Sequence, residues 1–75
     1  MFTEIQKRYT FDNGYTMSIL RKEGTYGALE GLFEVAVVHN DRIIYDTPVT
    51  HDVVGWADLA DLFRLKEEIS SLPPR

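Results

Sequence analysis

The residues with the richest chemistry are the two histidines, His39 and His51, each of which has carboxylates nearby in the sequence. Asp41 and Asp46 follow the first histidine, and Asp52 adjoins the second. A metal site needs three or four converging ligands, and these spacings match no known metal motif. We therefore expect neither a bound metal nor any other cofactor.

Two further patterns resemble catalytic motifs but lack the geometry for catalysis. Thr50, His51 and Asp52 have the composition of a nucleophile, a base and an acid, yet neighbours on an extended chain point in opposite directions. A phosphate-binding glycine loop needs a helix after it, whereas a strand is predicted to follow the glycines between residues 24 and 31. We predict no catalytic residue and expect that the chain is not an enzyme.

The glycine-rich segment between residues 21 and 31 is longer than a hairpin connection requires, and long loops in compact domains are often functional. Tyr26 within it, and Trp56 just before a predicted helix, are expected to be exposed. Tyrosine and tryptophan are enriched at binding hot spots, and nearby carboxylates favour a basic partner surface. The predicted binding residues are Glu23, Tyr26, Glu30, Asp46, Asp52 and Trp56.

Composition indicates one small globular domain over residues 1–75, with 44% hydrophobic and 27% charged residues. The net charge of −4 argues against nucleic-acid binding, which depends on neutralising phosphates. The absence of cysteine fits a reducing cytoplasm. The longest apolar run, Val35–Val38, is too short to span a bilayer, and the N-terminus lacks the features of a secretory signal. We expect a cytoplasmic protein without membrane partners.

Alternating apolar and polar residues predict an antiparallel sheet of about four strands. Asn13-Gly14 predicts a type I′ hairpin turn, and Asn40-Asp41 predicts a second tight turn. The region from Val49 to Trp56 is ambiguous, with a short extended piece at Val53-Val54. The predicted strands cover residues 5–11, 15–20, 32–39 and 42–45.

One C-terminal helix is predicted after Asp58, which caps it together with Asp61. Its apolar stripe is predicted to cover one face of the sheet, giving an α+β fold. Because the strand Leu32–His39 is apolar on both sides, its second face is expected to be partly uncovered, which would permit a homodimer. The predicted stripe comprises Leu62, Leu65, Ile69 and Leu72, widened by Leu59 and Phe63.

Four segments in this order resemble a group of small bacteriophage-encoded proteins: Phe11 to Tyr15, Gly24 to Gly27, Glu30 to Val37 and Tyr45 to Gly55. The resemblance implies a phage-type module that binds a host or phage protein in the host cytoplasm, with inhibition of a host protein or defence system left open. The alternative is a structural protein that forms a homodimer through the exposed sheet face. A small ligand-binding or enzymatic domain using His51 and Asp52 has the least support, because so small a domain leaves little room for a deep pocket.

Overall fold

The computed structural model describes residues 3–50 and 52–74 and confirms an α+β fold, a small antiparallel sheet followed by one C-terminal helix. Five strands are present in this part of the chain, one more than the sequence predicts. The added strand lies in the region that the sequence left ambiguous. The elements are β1 (Ile5–Thr10), β2 (Thr16–Arg21), β3 (Phe33–His39), β4 (Arg42–Ile43), β5 (Val54–Ala57) and α1 (Leu59–Ser70).

The strands follow the order β1-β2-β3-β4, and β5 also pairs with β3. β4 pairs with the end of β3 at Val38 and His39, whereas β5 pairs with its start. Phe33 lies opposite Ala57 and Val35 opposite Val54, so β5 carries one more residue than β3 between these pairs. Such a β-bulge bends the strand and redirects its side chains.

The first turn corrects one prediction. Of its two central residues only Gly14 has a positive φ, +89°, so Asn13-Gly14 is not a type I′ turn. It closes as a three-residue loop, with hydrogen bonds from Phe11 N to Tyr15 O and from Gly14 N to Phe11 O. The φ values of a type I′ turn occur instead at Asn40 and Asp41, +51° and +61°.

The side chain of Asn13 explains why the longer loop is used. Its amide nitrogen donates to the backbone oxygens of Ile69 and Leu72 at 2.8 and 2.9 Å, where helix α1 ends. Its Oδ1 atom accepts a hydrogen bond from Tyr15 N at 3.0 Å. The last carbonyl groups of a helix lack partners within the helix. Asn13 therefore supplies a C-terminal cap from the other end of the chain.

The core lies between α1 and one face of the sheet. The capping box between Asp58 and Asp61 is confirmed, and it fixes the start of the helix. Leu62 is only half-buried, whereas Leu65 and Ile69 are fully buried. The core cluster comprises Tyr15, Met17, Ile19, Val35, Val37, Ala57, Leu65, Ile69 and Leu72.

Two predictions about exposed surface are wrong. The second face of β3 is not an exposed apolar patch, because Ala36 and Val38 are buried. This burial removes the observation on which the homodimer prediction rested. On the helix, Leu59 and Phe63 do not extend the buried stripe but are 65% and 73% exposed. The helix therefore buries a narrower face than its sequence pattern predicts.

Candidate functional site

The glycine-rich segment is an ordered loop with its own hydrogen bonds. Thr25 Oγ1 donates to Lys22 O at 2.7 Å and accepts from Lys22 N at 3.0 Å. A short 3-10 helix, Ala28–Glu30, follows between two glycines in the left-handed conformation, Gly27 and Gly31. These contacts hold the loop backbone on both sides of Tyr26, so its side chain projects from a fixed point.

Tyr26 and Trp56 form a stacked aromatic pair at the surface. Their ring centroids are 5.0 Å apart and their planes differ by 25°. The two side chains are 55% and 57% exposed, as the sequence predicted. Offset stacking at this distance stabilises an aromatic pair by about 0.5–1.5 kcal/mol beyond the burial of area. Each ring holds the other while most of the pair stays open to solvent.

Two glycines permit the close approach of the loop and β5. A Cβ atom at Gly55 would lie 2.7 Å from Tyr26 Cβ, and one at Gly27 would lie 2.9 Å from Trp56 Cα. Glycine within a strand often marks such an approach of another backbone. Trp56 N donates a hydrogen bond to Tyr26 O at 3.4 Å, which joins the two backbones directly.

The backbone of Trp56 is strained. Its φ is +52°, a left-handed conformation that is an outlier for a bulky residue. The strain arises where β5 carries its extra residue, between the pairs made by Val54 and Ala57. Left-handed backbone costs a residue with a side chain about 1–2 kcal/mol. Strain of this kind is concentrated at functional sites, where the surrounding structure maintains it.

Glu34 belongs to this site although the sequence prediction omitted it. Its Oε2 atom accepts a hydrogen bond from Tyr26 N at 3.1 Å, so it anchors the loop to β3. The sequence carried a signal for this role, since Glu34 interrupts an otherwise apolar strand. Gly55 carried a similar signal as a glycine inside a strand.

The predicted carboxylates lie on the segments that lead to the aromatic pair. Glu23 lines a shallow hollow of about 460 Å³ together with Leu29, and Glu30 ends the 3-10 helix. Asp52 comes shortly before β5, where its Oδ1 atom accepts from Val53 N at 2.7 Å. Asp46 is exposed on the segment between β4 and β5. The structure thus brings Tyr26 and Trp56 into contact, while the four acids remain predicted binding residues.

The two histidines are the other candidates for chemistry that the sequence offers. Within residues 3–50 and 52–74, no group of three or more metal-binding side chains converges. His39 contacts the ring of Tyr15, with 5.6 Å between centroids. His51, on which the enzymatic alternative depends, lies outside the described residues. Over the same described ranges, no helix has the length and apolar character needed to cross a bilayer.

The Asp61 carboxyl group has a shifted pKa. The backbone N–H of Asp58 donates to Asp61 Oδ2, and this hydrogen bond, with support from Arg64, lowers the pKa of the Asp61 carboxyl. The guanidinium of Arg64 is 3.2 Å from Asp61 Oδ1. Because these contacts belong to the helix cap, the shift reflects stability of the helix start and not a reactive site.

Comparison with known proteins does not assign the chain to a family, since no family model, curated protein or solved structure matches it.

Proposed function

We propose that this chain is a small protein-binding module and that the stacked pair of Tyr26 and Trp56 is the centre of its binding surface. The observation that carries the proposal is the strained backbone of an exposed tryptophan. A strained conformation that buried a core side chain would have an evident structural reason. Here the conformation presents an aromatic ring to solvent, which is the arrangement expected of a contact surface.

The aromatic pair suits binding because it is already ordered. Side chains that become immobilised on association cost free energy, and a surface that is rigid beforehand avoids part of this cost. Tyr26 is held by its stack, by Glu34 and by the close contact with Gly55. A partner can therefore pack against the exposed ring surface of Trp56 with little further ordering of the site.

Charge favours a basic partner. The chain carries a net charge of −4, and Glu23, Glu30 and Asp52 lie on the segments that support the pair. Complementary charge accelerates association and excludes acidic competitors. An arginine on the partner could also stack on the tryptophan ring. Because the order of the motifs resembles that of small phage proteins, we propose a bacterial host protein or a phage protein as the partner, with inhibition of a host protein left open.

The test is capture of a partner from bacterial lysate with tagged protein. We expect the wild type to recover a stoichiometric partner and the double variant Tyr26→Ser with Trp56→Gly to lose it. Leu29→Ser is the matched control, because it removes a more exposed apolar side chain, 83% exposed, from the same loop. His51→Ala should also retain the partner.

Three outcomes would contradict the proposal. The first is full recovery of the partner by the double variant. The second is loss of the partner in His51→Ala alone, which would shift the site to the segment around residue 51. The third is the absence of any stoichiometric partner in lysates of both uninfected and phage-infected bacteria.

A further inference from the structure

A second surface lies at the free edge of the sheet. β1 pairs with β2, and in the described part of the chain no strand lies on its other side. The hydrogen bond from Phe11 N to Tyr15 O shows that Phe11 and Tyr15 form a hydrogen-bonded pair at the turn end of the β1–β2 ladder. Bonded and non-bonded pairs alternate along an antiparallel ladder, so the backbone groups of Gln6, Arg8 and Thr10 point outward. This edge can accept an additional strand.

An apolar groove runs beside this edge, on the core face of the sheet. Tyr9 lines it from β1, while the exposed Leu59 and Phe63 line it from the helix. Met17 and Ile19 form its floor, and its volume is about 250 Å³. Helix α1 packs mainly against β2 and β5, and all residues of β1 after Ile5 are exposed. Exposed apolar side chains gathered in one groove indicate an interaction surface.

The charge around the groove is positive although the chain is acidic. Lys66 lines the groove, and Lys7 lies opposite Ile19 on the same face of the sheet. Arg8 adds a cation at the same edge, although its side chain lies on the opposite face of the strand, in line with Ser18. Its long, exposed ion pair of 3.8 Å with Asp41 contributes little. Among the described residues, neither lysine takes part in an ion pair.

The same charges disfavour a second copy of this chain as the occupant. In twofold antiparallel pairing, the outward residues Gln6, Arg8 and Thr10 must bond with each other. Two registers then give the greatest overlap of the two β1 strands. One places Lys7 opposite Lys7 of the second copy, and the other places Arg8 opposite Arg8 of the second copy. Like charges directly opposite each other destabilise a strand pair, and lysine is a common protection of sheet edges.

We infer that β1 and its groove bind an extended acidic segment of another protein, which adds to the sheet as a sixth strand beside β1. Main-chain hydrogen bonds to Gln6, Arg8 and Thr10 supply affinity, and side chains on alternate positions supply specificity. On the groove side the segment presents apolar residues to Tyr9 and Phe63. Its carboxylates pair with the cations that flank the edge. This surface is separate from the stacked aromatic pair and does not depend on it.

The experiment uses a fluorescein-labelled, capped eight-residue peptide, Glu-Glu-Val-Val repeated twice, so that each face of the added strand carries both valine and glutamate. The peptide is titrated against the full chain by fluorescence anisotropy. We expect saturable binding, weakened at least tenfold by Lys7→Glu with Arg8→Glu. This charge-reversed protein should bind a lysine–valine peptide of equal length more tightly than the wild type does. Phe63→Ser should weaken binding of the glutamate–valine peptide. Leu29→Ser, which removes an exposed apolar side chain outside this groove, should leave that binding unchanged.

Two readouts distinguish strand addition from charge attraction alone. In amide hydrogen exchange, the peptide should protect Gln6, Arg8 and Thr10 and leave Lys7 and Tyr9, which already bond to β2, nearly unchanged. Methylation of the peptide nitrogens on the pairing side should abolish binding.

The inference is overturned if the glutamate–valine peptide does not bind, if the charge-reversed variant binds it equally, or if the methylated peptide still binds. It is also overturned if sedimentation shows a dimer that Phe63→Ser dissociates, since the groove would then hold a second copy. The Tyr26 and Trp56 double variant should lose the lysate partner but still bind the peptide. Failure of one proposal would therefore not imply failure of the other.

Discussion

Replacement of Trp56 by glycine and by alanine tests whether the left-handed backbone at this position is a real energetic cost. At an ordinary strand position glycine is less stable than alanine by about 0.5–1 kcal/mol, because it loses more conformational freedom on folding. At a φ of +52° the alanine Cβ adds a penalty of about 1–2 kcal/mol, which glycine avoids. The order of stability should therefore reverse, with Trp56→Gly more stable than Trp56→Ala by about 0.8 kcal/mol at the middle of these ranges and by about 1.5 kcal/mol at most.

Urea denaturation followed by far-ultraviolet circular dichroism measures this difference. Tryptophan fluorescence cannot be used, because both variants remove the single tryptophan of the sequence. Val54 is the matched control: it lies in the same strand and, unlike Trp56, lacks a positive φ. Val54→Ala should be more stable than Val54→Gly. The reasoning is refuted if alanine is also the more stable replacement at Trp56. Both Trp56 variants should lose the lysate partner, which would separate its role in binding from its role in stability.

Three further predictions concern stability. Asn13→Ala should lower the free energy of unfolding by about 2 kcal/mol, because it removes the hydrogen bonds to the helix end. Urea denaturation measures this loss, with Asp12→Ala at the exposed neighbouring position as the control. A loss below about 0.5 kcal/mol would contradict the capping role. Gly14→Val should cost more than about 1 kcal/mol, since valine resists a φ of +89°, and an unchanged thermal melt would refute this. The lowered pKa of Asp61 means that its carboxylate stabilises the fold above pH about 4, and this contribution disappears as the pH falls through the lowered value. Asp61→Asn should therefore lose stability at pH 7 and show a flatter acid-denaturation curve than the wild type.

Sequence reasoning succeeded where the determining contacts are local. The capping box of Asp58 and Asp61 involves residues three positions apart, and strand alternation directly reflects the faces of a sheet. The exposure of Tyr26 and Trp56 could also be predicted, because both lie outside the periodic apolar segments. Their stacking could not, since it depends on the bulge in β5 and on how the loop packs against it.

The failures have tertiary causes. Asn-Gly is compatible with more than one hairpin loop, and the selection at Asn13 involves a helix end far away in the sequence. Leu59 and Phe63 share a helical stripe with core residues, but the helix covers only part of the sheet, so they remain exposed. A helical pattern defines which side chains share a face and does not define how wide the opposing surface is.

The cap that Asn13 gives to the helix also affects the order of folding. The residues it joins are 56 and 59 positions apart, so this contact closes every element after β1 into one loop. Contacts between such distant residues form slowly, because most of the chain must be ordered first. During synthesis the strands emerge before the helix, and the apolar face of the sheet has no cover until α1 follows. We therefore expect the helix to dock in a late, cooperative step, and truncation within it should leave an aggregation-prone sheet in place of a smaller stable domain.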